Sequence, residues 1–127
     1  MTDKQKLSRL LDDIADKQKS VTQCHDYYSS LEKEIESKRK GLANPEDYQD
    51  LERVIAALNR EYEAKSDLLH EELNAVLLKG HDLSLKIGKE IAHDFKKLWD
   101  YMTKGAGAPA DLERVLRDID YIKKELF

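Results

Sequence analysis

From Leu7 to Ile35 the apolar side chains keep a count of seven. Leu7, Ile14, Val21, Tyr28 and Ile35 form one series, and Leu10, Cys24 and Leu31 a second. A repeat of this kind commits the segment to a helix with one narrow apolar edge, which another helix must cover. On the opposite side Asp12, Lys19, Asp26, Lys33 and Lys40 recur at the same interval, so that face is solvated. Thr2 followed by Gln5 fits a capping box at the start of this helix.

The run "SKRKGLANPEDY" supplies stop and start signals in order. Lys38, Arg39 and Lys40 suit the negative end of a helix dipole, Gly41 suits a left-handed residue after the last turn, and Asn44 with Pro45 reads as N-cap and first helical residue. Beyond it Tyr48, Leu51, Ile55, Leu58, Tyr62, Leu69 and Val76 resume the seam, and so short a connection makes the two helices antiparallel neighbours. Around Leu68, Leu73, Val76, Leu77 and Leu78 the apolar face becomes too wide for one partner helix, so something besides the first helix must cover it. Two glycines and Pro109 in "TKGAGAPADLE" end one helix and open the last, whose Leu112, Val115, Ile119, Ile122 and Leu126 again keep coiled-coil spacing.

Gly80, Ser84, Gly88 and Ala92 are four residues apart and leave two readings open. Either Gly80 to Asp82 breaks the chain into a four-helix bundle, or a helix over about 45–104 carries a ridge of small residues beside Phe95. Two interior glycines cost about 2 kcal/mol relative to alanine, which close approach of another backbone would offset. Lys17 and Lys65 also fall on the seam, within reach of Asp13, Asp16, Glu61 and Asp67, and a polar layer there would fix register.

The expected fold is therefore all-α: an antiparallel coiled coil or elongated helical bundle of three long or four shorter helices, paired as a dimer. It forms one domain over residues 1–127, with helices at about 3–40, 45–79 continuing or restarting to 104, and 109–126. A charged fraction of 38% with only five Gly and two Pro agrees with long helices.

Charge excludes some functions. Residues 1–40 hold nine basic and eight acidic side chains and residues 41–80 four and nine, so no segment is a basic stripe for nucleic acid. The stretch from Lys86 to Lys104 comes nearest to a membrane-binding helix, but acidic residues dilute it. With no apolar leader and no run near the ~20 residues needed to span a bilayer, the chain is expected to be soluble and cytoplasmic. One cysteine, Cys24, provides neither a disulfide framework nor a CxxC metal pattern and reads as a small buried hydrophobe.

Catalysis finds little support. "EIAH" from Glu90 to His93, with a weaker match at Asp67 to His70, resembles half of a di-iron carboxylate set. The two lie 23 residues apart on adjacent stretches of helix, and the first helix offers no inward Glu. The Asp following each of His25, His81 and His93 is expected to point about 100° away on a helix, so the three pairs are not expected to form a site. Ser66 and Ser84 lack a nucleophile elbow, and "GAGAP" is no phosphate loop.

The expected role is a non-enzymatic protein-interaction module: an adaptor, scaffold, chaperone-like binder or inhibitor of a partner protein. It needs no cofactor, metal or small-molecule substrate, and its partners are a second copy and another protein. The residues expected to bind a partner are Gly80, Ser84, Gly88, Ala92, Phe95 and Trp99, Phe95 and Trp99 belonging to an aromatic cluster that serves equally well as core. The alternative is a bundle enzyme or metal protein using Glu90 and His93.

Overall fold

The computed structural model describes residues 1–104 and 109–127. Four helices account for nearly all of them: α1 Asp3–Arg39, α2 Pro45–Ile87, α3 Lys89–Thr103 and α4 Leu112–Leu126. Local chemistry sets most of the ends. Gln5 N–H donates to Thr2 Oγ1 (3.2 Å) while Thr2 N–H donates to Gln5 Oε1 (3.0 Å), completing the capping box. At α2 Asn44 Oδ1 accepts from Glu46 N–H (3.0 Å) ahead of Pro45, and at α4 Asp111 Oδ1 accepts from Glu113 N–H (3.1 Å). Gly41 is not left-handed; α1 ends by tightening, with Gly41 N–H on the Lys38 carbonyl at 3.2 Å. The expected stop signal at Gly105 and Gly107 lies outside the described residues.

α1 packs on α2 and α4, and α3 packs on the same two helices, giving an up-down-up-down ring. The four helices share a core only where α1 begins and α2 ends. There Leu7, Leu11, Ile14 and Val21 meet Leu73 and Leu77 of α2, Ile91, Phe95 and Leu98 of α3, and Val115, Ile119, Ile122 and Leu126 of α4. Beyond it the rest of α1 and the first half of α2 continue as a two-helix arm. Tyr28 is the arm's one buried large side chain.

Part of the widened apolar face finds its cover inside the chain, because α3 folds back along α2 onto Leu73 and Leu77, whereas Leu68 and Leu78 stay exposed. The reversal occurs at neither place the sequence offered. α2 runs straight through Gly80 and stops at Ile87; Gly88 alone separates it from α3, in an extended conformation with φ 164° and ψ 163°. Gly88 N–H closes α2 on the Ser84 carbonyl (3.1 Å), and its own carbonyl accepts from Ala92 N–H (3.0 Å) to open α3.

Space decides between the two glycines. A Cβ at Gly80 would lie 2.5 Å from Cζ of Phe95, whose side chain is fully buried, whereas a Cβ at Gly88 would meet nothing within 4 Å. Gly80 makes room for the returning helix, and Gly88 is where the chain turns.

The inward face of α1 also rotates. In the four-helix half its second buried series is Leu11 and Gln18, in place of Leu10 and Lys17, because α1 there faces α4 as well as α2. Buried Gln18 donates Nε2–H to the Ala110 carbonyl at 3.3 Å, satisfying a polar group that the core otherwise could not hold. Lys17 reaches out to Glu72 (3.3 Å) and Lys65 to Glu61 (3.2 Å), so neither forms a buried polar layer. The pairs Lys17–Glu72, Tyr28–Glu61 and Arg39–Glu52 mark the antiparallel register of α1 against α2.

Replacing Gly80 by Leu is expected to destabilise the protein by more than about 2 kcal/mol through overpacking against Phe95. Gly88→Ala, into open space and extended backbone, is expected to change stability by less than about 0.5 kcal/mol. Denaturant unfolding of both variants measures the contrast. Amide exchange is expected to be faster in residues 45–62 of the arm than in residues 69–84, since exchange follows local burial.

Candidate functional site

The small-residue ridge is distributed over the α2–α3 contact. Gly80 and Ser84 are buried on α2, Ala92 and Phe95 are buried on α3, and half-buried Gly88 forms the corner between them. Ser84 Oγ donates to the His81 carbonyl at 2.7 Å, and the His81 ring lies between Phe95 (6.3 Å between centroids) and Trp99 (5.3 Å). Trp99 is half-buried and packs on the core with Tyr101 and Met102. The backbone approach expected of this ridge thus takes place within the chain, and in this conformation Gly80, Ser84, Ala92 and Phe95 present no surface to a second molecule.

What stays open is another face of α2. Val54, Leu68, Leu78 and Leu85 are 45–59% exposed, an unusual state for four aliphatic side chains on one helix. They are not scattered. With exposed Ala57, Ala64 and Ala75 they occupy alternating steps of three and four residues from 54 to 85, the spacing of a coiled-coil seam. The other three positions of this series are acidic: Glu61, Glu71 and Asp82.

In the four-helix half α2 therefore has three faces. Leu69, Val76 and Leu83 continue its seam with α1, Leu73, Leu77, Gly80 and Ser84 lie toward α3, and Ala75, Leu78 and Leu85 face outward. The sequence carries this second heptad series in plain sight. Beside the stronger α1-facing series it reads only as a broadening of one face, in which exposed Leu68 and Leu78 are not distinguished from buried Leu73 and Leu77.

The arm has its own polar cluster. Tyr28 Oη donates to Glu61 Oε1 (2.8 Å), Lys65 Nζ lies 3.2 Å from the same oxygen, and the Lys65 ammonium sits 5.4 Å from the centre of the Tyr28 ring. The hydrogen bond from Tyr28, then that from Lys65, holds the Glu61 carboxyl below its ordinary pKa, and Tyr28, then Glu61, raise that of Lys65. Lys65 pulls the Tyr28 hydroxyl down, but burial and Glu61 outweigh it and leave Tyr28 raised. At the tip Arg39 bonds Tyr48, Glu52 and Glu36. A hollow of about 100 Å³ opens beside His25, Tyr28 and Tyr62.

Glu90 and His93 are both exposed on α3. Among the described residues no three His, Cys, Asp or Glu side chains gather where they could hold a metal ion. Cys24 is half-buried and free. No helix among the described residues is long and apolar enough to cross a membrane. Comparison of the chain with protein-family models, curated proteins and solved structures gives no match.

Where α3 meets α4, Glu125 and Asp94 are neighbouring carboxyls. The proximity of Asp94, followed by some desolvation and the charge of Glu90, holds the exposed Glu125 above the usual carboxylate range despite an opposing effect of Tyr121, while Glu125 in turn raises Tyr121. A carboxyl whose folded pKa exceeds its unfolded value weakens the fold as pH rises through the folded pKa, and has no such effect below the unfolded one. Glu125→Gln is accordingly expected to raise the melting temperature at pH 7, with the difference from the unmodified chain vanishing near pH 3. Thermal unfolding at the two pH values tests this.

Proposed function

We propose that this chain is a non-enzymatic helical interaction module of the cytoplasm, acting as an adaptor, scaffold, chaperone-like binder or inhibitor through coiled-coil pairing with protein partners, a second copy of itself among them. The observation that carries the reading is the outward series on α2, from Val54 to Leu85. A solvated, heptad-spaced apolar strip on a helix whose other apolar faces are packed on α1 and, in the four-helix half, on α3 is a helix-docking surface, read by a partner through anchors at steps of three, four and seven residues. Exposed charges beside it, among them Arg53, Arg60, Lys79 and Lys86, supply the polar rim that tunes partner choice and association rate. The ridge residues Gly80, Ser84, Gly88, Ala92 and Phe95, with Trp99, support that surface from inside by holding α3 against α2.

Nothing in the geometry favours the metal-protein alternative at Glu90 and His93 over this reading. The test is a variant carrying Leu78→Glu and Leu85→Glu. Both positions are exposed, so stability is expected to change by no more than about 0.5 kcal/mol each. A photoreactive residue at Ala75 is expected to cross-link protein partners in the native cell in the unmodified background, and to lose those products in the double variant. Identical products in both backgrounds would contradict the reading.

A further inference from the structure

The series on α2 also has a pattern that selects its occupant. We infer that it pairs with the same series of a second copy of this chain, antiparallel, about a two-fold axis near residues 69–70. This rests on the interaction-module reading and specifies one partner for it.

Charge placement selects this pairing. Parallel pairing in register would set Glu61, Glu71 and Asp82 each against its own copy, three like-charge layers in one seam, which is strongly disfavoured. Antiparallel pairing about residues 69–70 removes every such layer. Val54 of one chain then meets Leu85 of the other, Ala64 meets Ala75, and each acid meets an apolar residue of the other chain: Glu61 on Leu78, Glu71 on Leu68, Asp82 on Ala57.

The same register brings the basic rim to the acids. Arg53 and Arg60 lie one turn to either side of Ala57 on an exposed face, so they flank the incoming Asp82. Lys79, beside Leu78, flanks Glu61. Glu61 is already drawn toward α1 by Tyr28 and Lys65, which clears the strip further. No other antiparallel register lets all ten positions of the series overlap.

The strip is about 45 Å long and one helix, ~10–12 Å, wide, which gives on the order of 1,000 Å² for the pair. That is the lower limit for a specific interface, so a reversible dimer is expected, with mass rising with concentration.

The experiment is sedimentation equilibrium of the full chain from about 1 to 500 μM, with disulfide trapping to fix orientation. The mass is expected to rise from 14.7 kDa toward twice that value. Leu78→Glu with Leu85→Glu is expected to weaken association at least tenfold, with the helical circular-dichroism signal unchanged. In a Cys24→Ser background, Ala64→Cys mixed with Ala75→Cys is expected to give cross-linked dimer, and each alone little.

Association that survives the double variant, or trapping by Ala64→Cys alone in preference to the mixture, would overturn the inference. So would a strictly monomeric chain. The interaction-module reading would then still stand if the Ala75 cross-links to other proteins are lost in the double variant, and would fail together with self-pairing if they are not.

Discussion

The four-helix half depends on the contact between the Phe95 ring and the backbone at Gly80. A returning helix can lie against α2 at that point only because no side chain stands there; a Cβ would sit 2.5 Å from the ring. With α3 seated, Leu73 and Leu77 of α2 and Ile91 and Leu98 of α3 cover one another, and α4 closes the fourth side against α1 and α3. Without it, α2 would carry an apolar surface wider than α1 can cover, and α3 would be left with α4 alone. The helix propensity lost at Gly80, about 1 kcal/mol, is small beside the burial of even two leucines at about 1.5–3 kcal/mol each.

From that contact follows an uneven molecule. One end is a four-helix core; the other is a two-helix arm held by a single buried tyrosine, its bond to Glu61, and the Arg39 cluster at the tip. Two paired helices cannot enclose side chains as four can. The arm accordingly uses aromatic rings and charged stems where the bundle uses leucine and isoleucine.

What the sequence reveals and what it conceals divide along the same line. Leu7, Ile14, Val21 and Tyr28 are legible as an inward series because one partner helix is enough to define them. Thr2 with Gln5 and Asn44 with Pro45 are legible because capping is local. The turn at Gly88 is not, since Gly80 and Gly88 look alike until Phe95 is placed, and Phe95 is fifteen residues from Gly80 along the chain. Gln18 is hidden for a related reason: a seven-residue count selects Lys17, and only the presence of α4 rotates α1 enough to bury its neighbour. The outward series on α2 stands in the sequence from the start, but its meaning appears only when the residues next to it are seen to be covered and it is not.

Which face of α2 stays uncovered is thus settled by the reversal at Gly88. The direct measurement is the distance between spin labels at His70 and Thr103 in a Cys24→Ser background, two exposed positions that border the same hollow between α2 and α3. If α3 folds back, the labels are close, at roughly 20 Å or less, whereas a helix continuing through Gly88 would hold them on the order of 50 Å apart at 1.5 Å per residue. The short distance is the one this account requires; the long one would return Gly80, Ser84, Ala92 and Phe95 to the surface and remove the basis for docking on the outward series.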